Sequence, residues 1–152
     1  MEKISLRPAT NRDWHSIGLL LYENKLPQEG AREHLAHFVV ATTDGVIVGC
    51  AGAELYGDIA LLRSVAIVPL LHGKGIGKML VNRLIQEAKE RKIAKIYLLT
   101  ISAQEYFEHF GFQPELIDKA PQSLKASAEF QGACPAGATF MSLTLGSSRY
   151  PL

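Results

Sequence analysis

With 152 residues, 47% of them hydrophobic and 20% charged, the chain has the size and composition of one folded domain with a sizeable core. Its formal net charge of +1 gives no electrostatic reason to expect nucleic acid or an acidic membrane surface as a partner. The opening MEKISLRPAT lacks the apolar stretch of a secretion signal and no apolar run reaches membrane-spanning length, so a cytoplasmic protein with Cys50 and Cys134 as reduced thiols is expected. Neither C-x-x-C nor H-E-x-x-H spacing occurs among the two cysteines and five histidines, and no metal site is expected.

Residues 3–7 alternate apolar and polar as an opening strand. Thr10 with Asp13 reads as a capping-box variant, after which Trp14, Ile17, Leu20 and Leu21 recur at helical spacing. Residues 25–31, with Pro27 and Gly30, break that helix and lead into a short helix or loop. Two apolar runs, 38–41 and 46–55, flank Thr42-Thr43-Asp44-Gly45, and Asp-Gly between such runs predicts a hairpin. Tyr56-Gly57-Asp58 is a second turn, and it feeds a short β-branched run at 61–68 that Pro69 ends.

Next comes His72-Gly73-Lys74-Gly75-Ile76-Gly77-Lys78 at the start of a helical pattern. In that pattern Ile76, Met79, Leu80, Leu84, Ile85 and Ala88 form one stripe, while Lys78, Arg83, Glu87 and Glu90 face away. Residues 94–100 are a further buried strand, and the helical crossover makes it parallel to the run at 61–68. Ser102 is positioned to cap a short helix through Phe110, with Gly111 at its C′ position. After 112–117 and a proline-bounded loop, residues 138–145 read as the last strand. The expected domain covers residues 1–146, and 147–152 reads as a tail.

Strand, glycine-rich turn and helix start together make an anion site. Glycine lets backbone approach a phosphate closely, and the free N–H groups and dipole of a first helical turn favour negative charge. Lys74 and Lys78 add positive charge, so a phosphate-bearing cofactor is expected. The spacing fits neither a Walker loop, which needs Ser or Thr after the lysine, nor the G-x-G-x-x-G of a dinucleotide fold. An ordinary tight turn is the bland alternative.

Gly75-x-Gly77 after Val68-Pro69 resembles the coenzyme A pyrophosphate loop of the GNAT N-acetyltransferases, written [R/Q]-x-x-G-x-[G/A], with His72 where the family has Arg or Gln. The order of predicted elements is similar to that family's over about residues 3–145. The resemblance implies an α/β fold with a mixed sheet: an antiparallel meander, then a central splayed parallel pair, flanked by helices. It implies acetyl-CoA as cofactor, held by residues 72–78, by Phe107, and by backbone of Val65, Ala66, Ile67 and Val68 pairing with the pantetheine arm. An N–H near Ala66 is the implied oxyanion donor, and a small-molecule amine is the implied partner, with a homodimer left open. In the family the region holding Asn24, Pro27 and Gln28 overhangs the acceptor.

Acyl transfer to an amine needs a base for the amine and a donor for the oxyanion, and the leaving thiolate takes a proton. Glu54 interrupts an apolar strand and is the candidate base, against the alternative of a solvated strand-end charge. The family's general-acid tyrosine position, four residues before Gly111-Phe112, holds Phe107; Tyr106 beside it points about 100° away, so the alternatives are Tyr106, a water, or a thiolate that leaves unprotonated. Arg63 and Ser64 interrupt the central strand, and a buried Arg must meet an anion: Glu54 or an acceptor carboxylate.

The segments 62–66, 98–100 and 106–112 look like the acetyltransferase domain of N-acetylglutamate synthases. The segments 49–52, 56–57, 60–64, 120–121 and 126–130, on to 134–135, are similar to small acetyltransferases encoded with arsenic-resistance genes. These resemblances imply a glutamate-shaped acceptor, or an arsinothricin- or phosphinothricin-like one, bound by Arg63, Ser64, Thr100, Ser127 and Glu129. A non-catalytic acyl-CoA sensor and a peptide or protein acetyltransferase are the competing readings.

Overall fold

The structure, a computed structural model, describes residues 3–133 and 137–146. Cys134-Pro135 and the tail at 147–152 lie outside the described residues. Seven strands form one sheet in the order β1-β2-β3-β4-β5-β7-β6. The strands are β1 (Ser5–Pro8), β2 (Phe38–Thr43), β3 (Val46–Tyr56), β4 (Ile59–Ile67), β5 (Lys95–Thr100), β6 (Gln113–Pro114) and β7 (Thr139–Thr144). Every neighbour is antiparallel except β4 and β5, which are parallel as the crossover requires.

The helices are α1 (Trp14–Glu23), α2 (Ile76–Glu90) and α3 (Gln104–Glu108). Strand alternation divides the meander between two cores: Phe38, Val40 and Cys50 meet Ile17, Leu20 and Leu21 of α1, while Val39, Ala41 and Ala51 meet Leu80, Val81 and Leu84 of α2. Short helical turns over residues 117–133 cover the rest, packing Ala120, Leu124 and Phe130 on Leu61, Tyr97 and Phe140. Among the described residues no helix is long and apolar enough to cross a membrane.

Several expectations are corrected. Met79 is 40% exposed instead of joining the core stripe, because the buried arc centres on Leu80, Leu84 and Ala88 and Met79 points about 100° away from Leu80. Ser102 does not cap the short helix: Ala103 is its N-cap, and the turn is tied by Thr100, whose Oγ1 accepts from the Ala103 N–H at 3.1 Å. The only strand in the region 112–117 is β6, two residues long, and past it the Glu115 N–H still donates to the Phe140 carbonyl of β7 at 2.8 Å.

The central pair opens like a wedge. β4 and β5 pair only at Ile59↔Lys95, Ala60↔Ile96 and Leu61↔Tyr97, whereas β5 pairs with β7 along its whole length, Lys95↔Thr144 to Thr100↔Thr139. Beyond Leu61, β4 therefore follows β3 and β5 follows β7, and a gap widens between them.

Candidate functional site

The gap continues into a cavity of about 840 Å³. One wall is β4 from Leu62 to Ile67, and the other is residues 98–103, at the end of β5 and the turn after it. Tyr106 and Phe107 of α3 and Glu129 complete the sides, residues 24–27 form the roof, and the turn into α2 stands at the mouth.

That turn has the geometry an anion site needs. Gly73 has φ +80° and Gly75, the N-cap of α2, has φ +85°, a region that side chains disfavour. Nothing lies within 4 Å of the point where a Cβ would sit on either glycine, so the backbone faces open space. The first N–H groups of α2 have no intrahelical carbonyl to bond, and Lys78 stands beside them on the cavity wall. His72 does not stand in for an Arg at an anion: its Nε2 bonds the Ile67 carbonyl at 2.8 Å, so that nitrogen carries the proton and the ring pins the loop to the strand end. Asn24 Nδ2 reaches the same carbonyl at 3.1 Å and ties the roof to it.

Backbone direction selects which groups of β4 face the gap. The Val68 N–H donates to the Val48 carbonyl at 2.9 Å, and the Ala66 N–H is engaged by the Cys50 sulfur; both therefore point to β3. Alternation turns Val65 and Ile67 towards the gap, and both line the cavity. The register slips between Cys50 and Gly52 opposite a bulge at Ser64, whose φ of +62° is unusual for a residue with a side chain. Two contacts hold it there: Cys50 Sγ donates to the Ser64 carbonyl, and Arg63 Nε donates to Ser64 Oγ at 3.0 Å. Burial pushes the Cys50 thiol up to about 12, so it is an unreactive packing residue.

At the inner end lies Arg63, 3% exposed, and it joins three stretches of chain. Its Nη1 donates to Glu54 Oε2 at 2.6 Å, its Nη2 to the carbonyls of Pro27 (3.3 Å) and Glu29 (2.8 Å), and its Nε lies 3.4 Å from Glu129 Oε2. Glu54 has no exposed surface, which excludes the solvated strand-end alternative. Behind Arg63 it accepts from the Tyr56 hydroxyl, and His34 Nε2 stands 3.7 Å away. Burial, then the Glu54 carboxylate, raise the Tyr56 phenol to about 12.

Of the residues singled out in the sequence, Arg63, Ser64, Val65, Ile67, His72, Gly73, Gly75, Ile76, Gly77, Lys78, Thr100, Tyr106, Phe107 and Glu129 share this one cavity. Ala66, Val68, Lys74, Glu54 and Ser127 are not on its wall. Lys74 projects to solvent from the loop. Ser127 is buried, with its hydroxyl accepting from the Glu129 N–H at 3.2 Å. Tyr106 holds its hydroxyl against α2: a Cβ on Gly77 would sit 2.7 Å from it, and desolvation raises its pKa. Among the roof candidates, Asn24 and Pro27 line the cavity and Gln28 does not. His34 and Tyr56 were not singled out as site residues, since nothing in their local sequence marks contact with Glu54. Among the described residues no group of His, Cys, Asp and Glu is arranged to hold a metal ion.

The model of the family described as Acetyltransferase (GNAT) matches residues 5–112. An amino-acid acetyltransferase of Photobacterium profundum is 30% identical over 106 residues, which is 68% of this chain and 24% of that protein. One from Mycobacterium tuberculosis is 36% identical over 69 residues, 45% of this chain and 39% of that protein. The chain thus spans about a quarter to two fifths of these relatives' length. Among solved structures, Rv2747 of Mycobacterium tuberculosis, in a complex that includes CoA, superposes with a TM-score of 0.79 at 25% identity, covering 93% of this chain and 99% of that one. N-acetylglutamate synthase of Neisseria gonorrhoeae, complexed with coenzyme A and N-acetyl-glutamate, has the same fold with a TM-score of 0.80 at 23% identity, over 95% of this chain and 36% of that one.

Proposed function

The chain belongs to the GNAT acetyltransferase family, and on that premise we propose that it transfers the acetyl group of acetyl-CoA directly to the amine of an amino acid or a close analogue. The observation that carries this reading is the wedge between β4 and β5, open from Leu61 onwards, with an anion-binding turn at its mouth and Arg63 and Glu129 at its inner end. Five residues of strand, about 16 Å at roughly 3.3 Å per residue, separate Arg63 from Val68. An extended cofactor arm fits that length between an anchored phosphate and a reacting end.

The residues fit the group. Backbone N–H groups at Gly75, Ile76 and Gly77, with Lys78 beside them, would hold a pyrophosphate. The gap-facing backbone of Val65 and the N–H of Ile67, whose carbonyl already accepts from His72 and Asn24, would pair with an amide-bearing arm as an added strand does. Tyr106 and Phe107 would pack the side of that arm. When bound, acetyl-CoA supplies an activated thioester carbonyl. The chain's part is to hold the acceptor amine against it, to exclude water and to take up the amine's proton.

For the acceptor, the relatives named amino-acid acetyltransferases support an α-amine next to a carboxylate. Arg63, Ser64 and Thr100 would bind that carboxylate, with Ser127 holding the backbone of Glu129. A glutamate-shaped acceptor, including arsenic- or phosphorus-bearing analogues of that shape, is the finer form of the reading.

Thiol release from acetyl-CoA, measured against a panel of amino acids and such analogues, tests it. Turnover should appear on one acidic amino acid or analogue. Gly75→Glu should abolish acetyl-CoA binding in calorimetry while the protein stays folded, since it sets a carboxylate where the phosphate belongs. Binding unchanged by that substitution would reject the assigned turn. Binding without turnover on any amine would favour a sensor.

A further inference from the structure

We infer that Lys25 selects acidic acceptors: its ammonium binds the second anionic group of the acceptor, while the inner end of the wedge takes the α-carboxylate. The inference deepens the amine-acetylating reading above and rests on it. The cavity wall carries the cations Lys25, Arg63 and Lys78, with His72 at the mouth. Lys78 stands at the first turn of α2, where the phosphates belong, and His72 Nε2 is spent on the Ile67 carbonyl. Arg63 is nearly spent as well. Of the five N–H groups of a guanidinium, Nε donates to Ser64 Oγ, one on Nη1 donates to Glu54, and those on Nη2 donate to the carbonyls of Pro27 and Glu29. What is left helps to hold one carboxylate. A second anion on the acceptor needs another cation. The Lys25 ammonium makes no hydrogen bond or ion pair among the described residues, and neither the core nor the phosphate turn uses it.

The roof holds Lys25 in position. Asn24 Nδ2 donates to the carbonyls of Leu20 and Ile67, and Arg63 Nη2 ties down Pro27 and Glu29. On β4 the two anchors, Ile67 and Arg63, lie about 13 Å apart at roughly 3.3 Å per residue. The roof therefore runs along the strand, and Lys25 comes between its fixed ends. Its backbone is set too. The Lys25 N–H donates to the Tyr22 carbonyl and the Leu26 N–H to the Leu21 carbonyl, the paired bonds of a Schellman motif. Lys25 has φ +59° in the position that glycine usually fills. Lys92 ends α2 in the same way, with φ +62°, its N–H on the Lys89 carbonyl and the Ile93 N–H on the Ala88 carbonyl. At roughly 1.5 Å per residue, Lys92 lies about 24 Å along α2 from the mouth, and it is not on the cavity wall. The left-handed turn is thus no mark of function by itself. Placement over the wedge is what sets Lys25 apart.

The residue type also fits the breadth of acceptor. An ammonium is a compact point charge on a flexible stem, and it does not impose the planar two-point geometry of a guanidinium. It takes a flat carboxylate or a tetrahedral oxyanion in the same place, so the acceptor class is a dianionic amino acid, whatever atom bears the second anion.

The test sets Lys25→Gly and Lys92→Gly beside the wild type in the whole protein. Steady-state kcat and KM are measured for glutamate, aspartate and phosphinothricin, and for glutamine as an uncharged acceptor of glutamate shape. Calorimetry gives acetyl-CoA affinity, and urea unfolding gives stability. Both substitutions put glycine into a left-handed turn and remove one lysine from a helix C-terminus, so the urea midpoint should move alike in both, with the fold intact. The wild type should favour its best acidic acceptor over glutamine in kcat/KM. Lys25→Gly should lower that ratio about fivefold to tenfold, through the KM of the acidic acceptor, with acetyl-CoA affinity as in the wild type. Lys25→Glu should lower the ratio further, and Lys92→Gly should leave it where it was. A ratio within twofold of wild type in Lys25→Gly overturns the assignment, as does an equal loss in Lys92→Gly. Weakened acetyl-CoA affinity with an unchanged ratio also overturns it, and gives Lys25 to the phosphates. A wild type that acetylates neutral amino acids and no acidic one removes the role of Lys25 while the amine-acetylating reading stands. One that binds acetyl-CoA yet acetylates no amine overturns both.

Discussion

Gly52 is a position where one methyl group decides whether the sheet can close. A Cβ there would fall 2.1 Å from Cε1 of Phe38, whose ring is 1% exposed and belongs to the core beneath α1. The buried ring would have to shift against its packed neighbours, so Gly52→Ala should lower stability by about 1–3 kcal/mol, the overpacking range. Urea unfolding checks this: the midpoint should fall with the slope unchanged, and a midpoint equal to wild type would mean that Phe38 is looser than its burial implies. Residue-scale roles were legible where chemistry alone constrains them. An Arg inside an apolar strand must find an anion, and Arg63 found Glu54. The twist at Ser64 was not legible, because its positive φ comes from a bulge imposed by a neighbouring strand. Nor was the contact of His34 with Glu54, which joins residues twenty positions apart.

At the scale of elements, the corner between β1 and α1 carries its own pH dependence. Arg7 grips the Asp13 carboxylate with both Nη atoms, at 2.8 and 3.0 Å, and the Thr10 N–H adds a 2.7 Å bond. The Arg7 hydrogen bond, opposed by desolvation, leaves the Asp13 carboxyl at about 2, below its ordinary 3.8. A depressed acid stabilises the fold above its unfolded pKa and loses that contribution as pH falls through the folded value. Asp13 should therefore add about 2 kcal/mol at pH 6, fading between pH 4 and pH 2. Urea midpoints measured from pH 6 to pH 2 should converge for wild type and Asp13→Asn at the acid end; a constant difference would show that the pair contributes nothing pH-dependent. The capping box, α1, the Asp44-Gly45 hairpin and the α2 crossover were legible because each has a local signal: spacing, turn chemistry or length. Residues 117–133 lack any period, since their short turns bury single side chains such as Leu124 against strands distant in sequence. Met79 went astray for a related reason: several faces of α2 are apolar enough to read as core, and the sheet selects one.

The whole molecule is a sheet that gives up pairing to make a site. β4 and β5 share three register pairs, and past Leu61 the gap-facing backbone of β4 has no strand beside it among the described residues. The order of elements made the parallel pair and the glycine turn foreseeable. The side of β4 that faces the gap was not foreseeable, because it depends on the bulge at Ser64 and on Val68 pairing back to Val48. An open seam is a place where exchange with solvent is fast and where a ligand can supply the missing strand. If coenzyme A occupies it as proposed, free ligand at 100 times its Kd adds about 2.7 kcal/mol to the unfolding free energy. The local signature is sharper than that global one. Hydrogen exchange with and without coenzyme A should slow at the Val65 and Ile67 amides and at the α2 start around Gly75–Gly77. Ala66 and Val68, already turned to β3, should change only as much as the global stability does. Protection that spared Val65 and Ile67 while slowing another surface would move the cofactor out of the wedge, and alternating protection along β4 would show the ligand pairing there as a strand.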